Sequence, residues 1–305
     1  MKLSRLGLRL LLPLLLSGCA LTSKASLAKV LPPTLSESRS LAVEFIPQET
    51  KLCGPAVLKM ATQSHLPNLP FRTYKQMSYR EDIQGSTKAD MLLTLRRIGM
   101  APYRVASLPE MLEHIGDDRP VIVFRDLAVS WSPAGHFSLL VGYNAKKNVM
   151  VLHSDRTPLL EVDFHRFADT WKRGERWAYI AVPPGAIPKH APFEAALDNA
   201  VAFEFLRMDR AARDLYLKMI ERWPKRFEPH LGLANIYHKS KNRRRAIAEI
   251  HLALSKKPNH PALLFNLAKL LFEDGQLREA RRVKEKTLAL APENQRASFE
   301  QRFTF

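Results

Sequence analysis

Along the chain, apolar positions recur with two different periods. Residues 55–64 and "KADMLLTLRRIGM" (88–100) carry them at helical spacing, and the second run ends at Gly99, where a glycine is a common helix stop. Between 120 and 182 the apolar residues fall instead into short blocks: "PVIVFRD" (120–126), "HFSLLVGYN" (136–144), "NVMVLHS" (148–154) and "WAYIAV" (177–182). Blocks of that length, rich in Val, Tyr and Phe and bounded by turn formers, predict strands. Helices first and sheet second is an α+β arrangement. The four prolines of "PPGAIPKHAPFE" (183–194) then predict a domain boundary.

Beyond that boundary the pattern repeats. Pro224, Pro258 and Pro292 are 34 residues apart, as are Ala200, Ala234 and Ala268, and Ala212, Ala246 and Ala280. Tyr237 and Leu271 share a phase with Phe203. Small residues where two helices touch, a large one nearby and a proline closing the second helix match the tetratricopeptide repeat. The first unit (193–226) is the loosest, with Asn199 where Leu233 and Leu267 stand. About three units is the minimum for a stable stack, and "QRASFEQRFTF" supplies a possible cap. Such an array predicts a protein or peptide partner, held in extended form. Its basic runs, "KNRRRA" and "RRVKEK", read as solvated helix faces.

The length of 305 residues suits two domains, and 46% apolar content supports a real core. The first residues change the picture. "MKLSRLGLRLLLPLLLSGCA" joins a basic start to an apolar run and then small residues, the pattern of a secretory leader. "LSGC" (16–19) resembles a bacterial lipobox, which predicts lipid on Cys19 and membrane attachment without a spanning helix, since each buried CH₂ contributes about 0.8 kcal/mol. Ala20, not Asp, follows the cysteine, which by resemblance to enterobacterial-type sorting favours the outer membrane, facing the periplasm. The expected organisation is a leader (1–18), a tether (19–40), an α+β domain (41–186) and an all-α repeat domain (187–305). The formal charge of +17 points to anionic headgroups or acidic polypeptides. Nucleic acid is not expected as a partner of an exported protein.

If Cys19 carries lipid, Cys53 is left without a disulfide partner. It lies in "QETKLCGPAVLKMA" (48–61), and Pro55 suits the first turn of a helix. A thiol at a helix N-terminus is a candidate nucleophile, with a thiolate favoured by the partial positive charge there. It needs a base and an oxyanion donor. His136, opening "HFSLLVGYN", is the candidate base, and Gln48 the candidate amide donor. The segment 136–155 reads as a hairpin turning near Lys146. Pairing Tyr143 with Val149 sets His136 within one residue of Asp155, close enough for that carboxylate to orient the imidazole. A slip of one residue would turn Asp155 to the wrong face. His153 reads as a strand residue of the same neighbourhood.

"Q-x4-CGPA", then "GHFSLLVGY", then a strand ending in Asp resembles the bacteriocin-processing (double-glycine leader) cysteine peptidase family of the papain-like superfamily, over roughly residues 41–186. The resemblance implies a papain-like fold, a nucleophile at Cys53, a base at His136, an oxyanion glutamine at Gln48 and an orienting acid at Asp155. Two details depart from the family pattern. The Gln-to-Cys gap is five where six is usual, and Arg156 replaces the proline after the Asp. The family's usual setting is the cytosolic end of an exporter, so cleavage after Gly-Gly is not carried over to a chain that faces the other side of the membrane. The expected activity is hydrolysis of peptide bonds in a polypeptide substrate. Amidase or transglutaminase-like acyl transfer on the same fold is the first alternative, and an idle envelope scaffold the second. No H-E-x-x-H or Cys/His ligand spacing is present, so neither a metal nor another cofactor is expected.

Overall fold

The computed structural model describes residues 26–48, 51–128 and 135–303. The first half is built on an antiparallel sheet of seven strands: β1 (Ser38–Ser40), β2 (Ala101–Arg104), β3 (Val121–Asp126), β4 (Gly135–Asn144), β5 (Val149–Ser154), β6 (Thr157–Asp163) and β7 (Ala178–Val182). The order is β2-β7-β3-β4-β5-β6, and β1 takes over the edge of β4 that β3 leaves free. Strand β4 lies inside the sheet and is buried on both faces from Phe137 to Tyr143, which is why its sequence is a continuous apolar run rather than an alternation.

Six helices accompany the sheet: α1 (Leu27–Val30), α2 (Cys53–Thr62), α3 (Phe71–Ser78), α4 (Lys88–Arg97), α5 (Leu108–Gly116) and α6 (Phe164–Arg173). Helix α2 packs on β3, β4 and β7 and buries nearly every residue after Cys53, as expected of a helix that is apolar all round. Thr87 and Asp90 form a capping box at the start of α4, and Gly99, at φ +83°, turns the chain after it.

The segment expected to be a tether is part of this domain from residue 26 onwards. Leu27 is fully buried, and Ser38–Ser40 pair with Gly142–Asn144. A short polar strand beside β4 has no apolar alternation to announce it; backbone pairing with β4 holds it, joined by an Arg39–Asp118 ion pair at 2.6 Å.

The second half is a helical C-terminal region: α7 (Phe193–Phe205), α8 (Asp209–Arg222), α9 (Glu228–Lys239), α10 (Arg243–Lys256), α11 (Pro261–Glu273), α12 (Leu277–Leu290) and α13 (Glu293–Arg302). Both alanine columns are buried where successive helices pack. Pro224, Pro258 and Pro292 follow the ends of α8, α10 and α12.

The proline-rich stretch separates β7 from α7, but it does not divide the core. A single buried cluster runs from the sheet through Phe193, Ala200, Phe203 and Leu215 to Leu233. Asn199, 1% exposed, joins the two halves: its Nδ2 donates to the Pro102 carbonyl at 2.9 Å, and its Oδ1 accepts from Arg96 Nε at 3.1 Å. The residue that weakens the repeat pattern thus docks the first helical pair onto the sheet domain.

Candidate active site

Cys53 is the first residue of α2, and the N-cap, Leu52, offers no side-chain oxygen to the helix. The amides of the first turn therefore stay available to the thiol. A Cβ on Gly54 would collide with the Ser86 side chain, so glycine lets the segment 83–86 close over the start of the helix. The half-buried, free thiol opens into a cleft of about 460 Å³ walled by Lys51, Ile83 and Gln84 on one side and by Phe124, Gly135 and Phe137 on the other. Gln48, His136 and Asp155 line the same cleft. Lys51 Nζ donates to Gln84 Oε1 across its rim. A larger hollow of about 770 Å³ between α7 and α9 is lined by no cysteine, serine or histidine.

Gln48 is 2% exposed and clamped to the β5–β6 turn. Its backbone N–H donates to the Asp155 carbonyl at 2.9 Å, and its Oε1 accepts from the Asp155 N–H at 3.0 Å. That second bond settles the amide orientation, because the flipped amide would set donor against donor. It leaves Nε2 buried without a partner among the described residues, in the wall of the cleft that holds Cys53. A buried, unpaired donor is costly unless it serves a charge that appears during reaction.

His136 lies opposite Arg125 of β3. Its Nε2 meets Ser154 Oγ at 3.1 Å, so Nδ1 is the ring nitrogen left for the thiol. Among the described residues, no hydrogen bond joins His136 to the Asp155 side chain. The reason lies in the pairing of β4 and β5. Near the turn Tyr143 pairs with Met150, not with Val149, but a bulge between Leu140 and Gly142 shifts the strands by one residue, back to the register that the Tyr143–Val149 pairing implies. Leu139 faces His153 beyond it, which turns Ser154 to the face of Ser138 and His136. Asp155 follows in the turn at φ +54°. Its main chain holds Gln48, while its charge acts on both His136 and Cys53 through space. His153 is on the other face, used in full: Nδ1 accepts from Leu159 N–H at 3.2 Å, and Nε2 is 2.9 Å from the Val43 carbonyl.

The electrostatics correct one expectation. Burial pushes the Cys53 thiol up; the backbone groups of Phe137, Gly54 and Cys53 itself act against that rise, and the Asp155 charge adds to it. The helix N-terminus favours a thiolate as expected, but desolvation outweighs it. His136 is pushed down to about 4, by burial first and by the Arg125 charge second, with Asp155 opposing. Both shifts favour the neutral forms, thiol and imidazole. Cys19, the expected lipid site, lies outside the described residues.

Residues 40–178 match the model of the Peptidase_C39 like family. Three solved structures each resemble somewhat less than half of the chain. One is a double glycine motif protease from an AMS/PCAT transporter in complex with the leader peptide, at 19% identity, covering 48% of this chain and 94% of that one with a TM-score of 0.38. Another is the peptidase domain of Streptococcus ComA, a bi-functional ABC transporter, at 19% identity, 46% and 98% coverage and a TM-score of 0.38. The third is a C39-like peptidase from Bacillus anthracis, at 13% identity, 48% and 98% coverage and a TM-score of 0.39. No curated protein matches the chain.

Proposed function

We propose that the protein is a cysteine peptidase that hydrolyses peptide bonds of a polypeptide, with Cys53 as nucleophile and His136 as base. One observation carries this reading: in the segment that matches the Peptidase_C39 like family, a free thiol at a helix N-terminus, a histidine and an unpaired amide donor line one cleft. Cys53 Sγ attacks the scissile carbonyl while its proton passes to His136 Nδ1. The oxyanion is held by Gln48 Nε2 and the Cys53 N–H. His136 then protonates the leaving amine as the C–N bond breaks, and a water hydrolyses the thioester. Asp155 contributes by holding Gln48 and by its charge, which favours the imidazolium formed in the first step.

Lipid on Cys19 would keep this activity at the membrane, probed by the release of Cys19→Ser from the membrane fraction. The helical region, read as tetratricopeptide repeats, would recruit the substrate or a protein partner. The function is tested by labelling intact cells with a thiol-directed covalent probe and identifying the polypeptides that accumulate in Cys53→Ala. Full labelling of Cys53→Ala, or unchanged polypeptides, would sink the proposal.

A further inference from the structure

Behind His136 lies a buried polar cluster that, among the described residues, includes no carboxylate. The Arg125 guanidinium, 4% exposed, donates from one nitrogen, Nη2, to Ser138 Oγ at 3.0 Å and to Ser154 Oγ at 3.1 Å. The two hydroxyls are 2.9 Å apart, and both serines are buried. Ser154 Oγ is also the partner of His136 Nε2. A buried arginine is usually held by an acid; here, among the described residues, it has two hydroxyls, and its Nε has no partner.

We infer that Ser154, held against Ser138 by Arg125, is the residue that positions the His136 ring and selects its tautomer. The inference rests on the reading of Cys53 and His136 as nucleophile and base. A serine hydroxyl has one proton to give and two lone pairs. Arg125 occupies one lone pair of Ser154. If Ser154 donates to Ser138, its other lone pair takes the His136 Nε2–H, and Nδ1 is free to accept the thiol proton. If instead Ser154 donated to Nε2, the ring proton would sit on Nδ1, facing a thiol that also carries a proton. Only the first arrangement makes a base.

The cluster differs in kind from a carboxylate behind a histidine. A carboxylate stabilises an imidazolium; a hydroxyl fixed by a guanidinium orients the ring without offering it a negative charge. The charged groups that act on His136 are Arg125 from β3 and Asp155 from the β5–β6 turn, with Cys53 facing it from α2. Arg166 of α6 acts on Arg125, whose pKa is brought down to about 10 mainly by burial. Ser154 thus supplies geometry, while among the described residues the compensating charge is Asp155, at a distance.

The test uses the full-length protein with ¹⁵N-labelled histidines. Wild-type His136 is expected to show the neutral Nε2–H tautomer at about pH 6, below the usual pKa of an imidazole. Ser154→Ala is expected to lose that single tautomer and to slow alkylation of Cys53 by iodoacetamide about ten-fold, the worth of one hydrogen bond. Ser154→Thr, which keeps the hydroxyl, should recover most of the rate. Three results would overturn the inference: an Nδ1–H tautomer in the wild type, unchanged shifts and rate in Ser154→Ala, or a rate lowered by Asp155→Ala and not by Ser154→Ala. The wild-type tautomer needs no variant to fold. Hydrolysis that survives Cys53→Ala would remove the catalytic reading instead, and the tautomer would still decide the role of Ser154.

Discussion

The two halves of the molecule bury different things. In the helical region the positions at helix contacts are mainly apolar, and the two alanine columns recur every 34 positions because the same contact recurs. Around the cleft the buried residues include Gln48, Arg125, Ser138 and Ser154, and two of them keep a polar atom unpaired. Burying polar groups lowers stability unless each is satisfied, so a fold selected for stability alone would not assemble them. Asn199 stands between the two cases. It occupies a repeat position, yet it is polar, and both ends of its amide are satisfied by the other half. The comparison teaches that substitutions in the helical half act on stability, those around the cleft act on chemistry, and Asn199 is felt as docking.

The largest expected effect sharpens that contrast. Cys53→Ala should reduce peptide hydrolysis on the order of 10⁴-fold or more while the thermal unfolding midpoint stays near wild type. Parallel loss of activity and fold would erase the distinction. Gln48→Ala should lower kcat about 10²–10³-fold, with KM little changed, because Nε2 has no bond to lose in the resting protein. A drop in KM and kcat together would make Gln48 a binding residue.

The pH profile comes next. A base must be neutral to act, and His136 is pushed down to about 4. The acid limb of kcat/KM should therefore fall as pH drops through about 4 and not through the usual ~6.5 of an imidazole. Alkylation of Cys53 should rise with pH beyond the range of an ordinary thiol, since burial lifts its pKa. A plateau of fast alkylation down to about pH 6 would instead mean a thiolate–imidazolium pair.

The smallest effect tests the joint. Asn199→Leu restores the residue found at 233 and 267, but it orphans the Pro102 carbonyl and Arg96 Nε. It should cost about 1–3 kcal/mol in urea unfolding. A gain in stability would mean that the repeat preference outweighs the docking bonds. The shared core also means that a fragment of residues 187–305 exposes the buried faces of α7 and α8, so it should melt below the intact chain.

Much was legible along the chain. The helix at Cys53, the strands β3, β4, β5 and β7, the hairpin turn near Lys146 and the 34-residue columns follow from local periodicity and turn chemistry, which act over a few residues. Strand β1 was not legible, because three polar residues carry no pattern and owe their state to a partner a hundred positions away.

The sequence alone determined which chemical groups are at hand: one thiol at the head of a helix, a histidine opening a strand, a glutamine upstream and a proline-marked repeat. Tertiary structure decided their relations. A strand has period two, so the single-residue bulge at Leu140/Gly142 was enough to set Ser154 rather than Asp155 behind His136. Whether the thiol or the thiolate prevails at Cys53 depended on what covers it, and desolvation, a property of the closed cleft, exceeded the pull of the helix end. Asn199 reads as a flaw in a repeat until the Pro102 carbonyl and Arg96 lie beside it. Each of these turns on contacts between residues distant in sequence, and no local pattern encodes them.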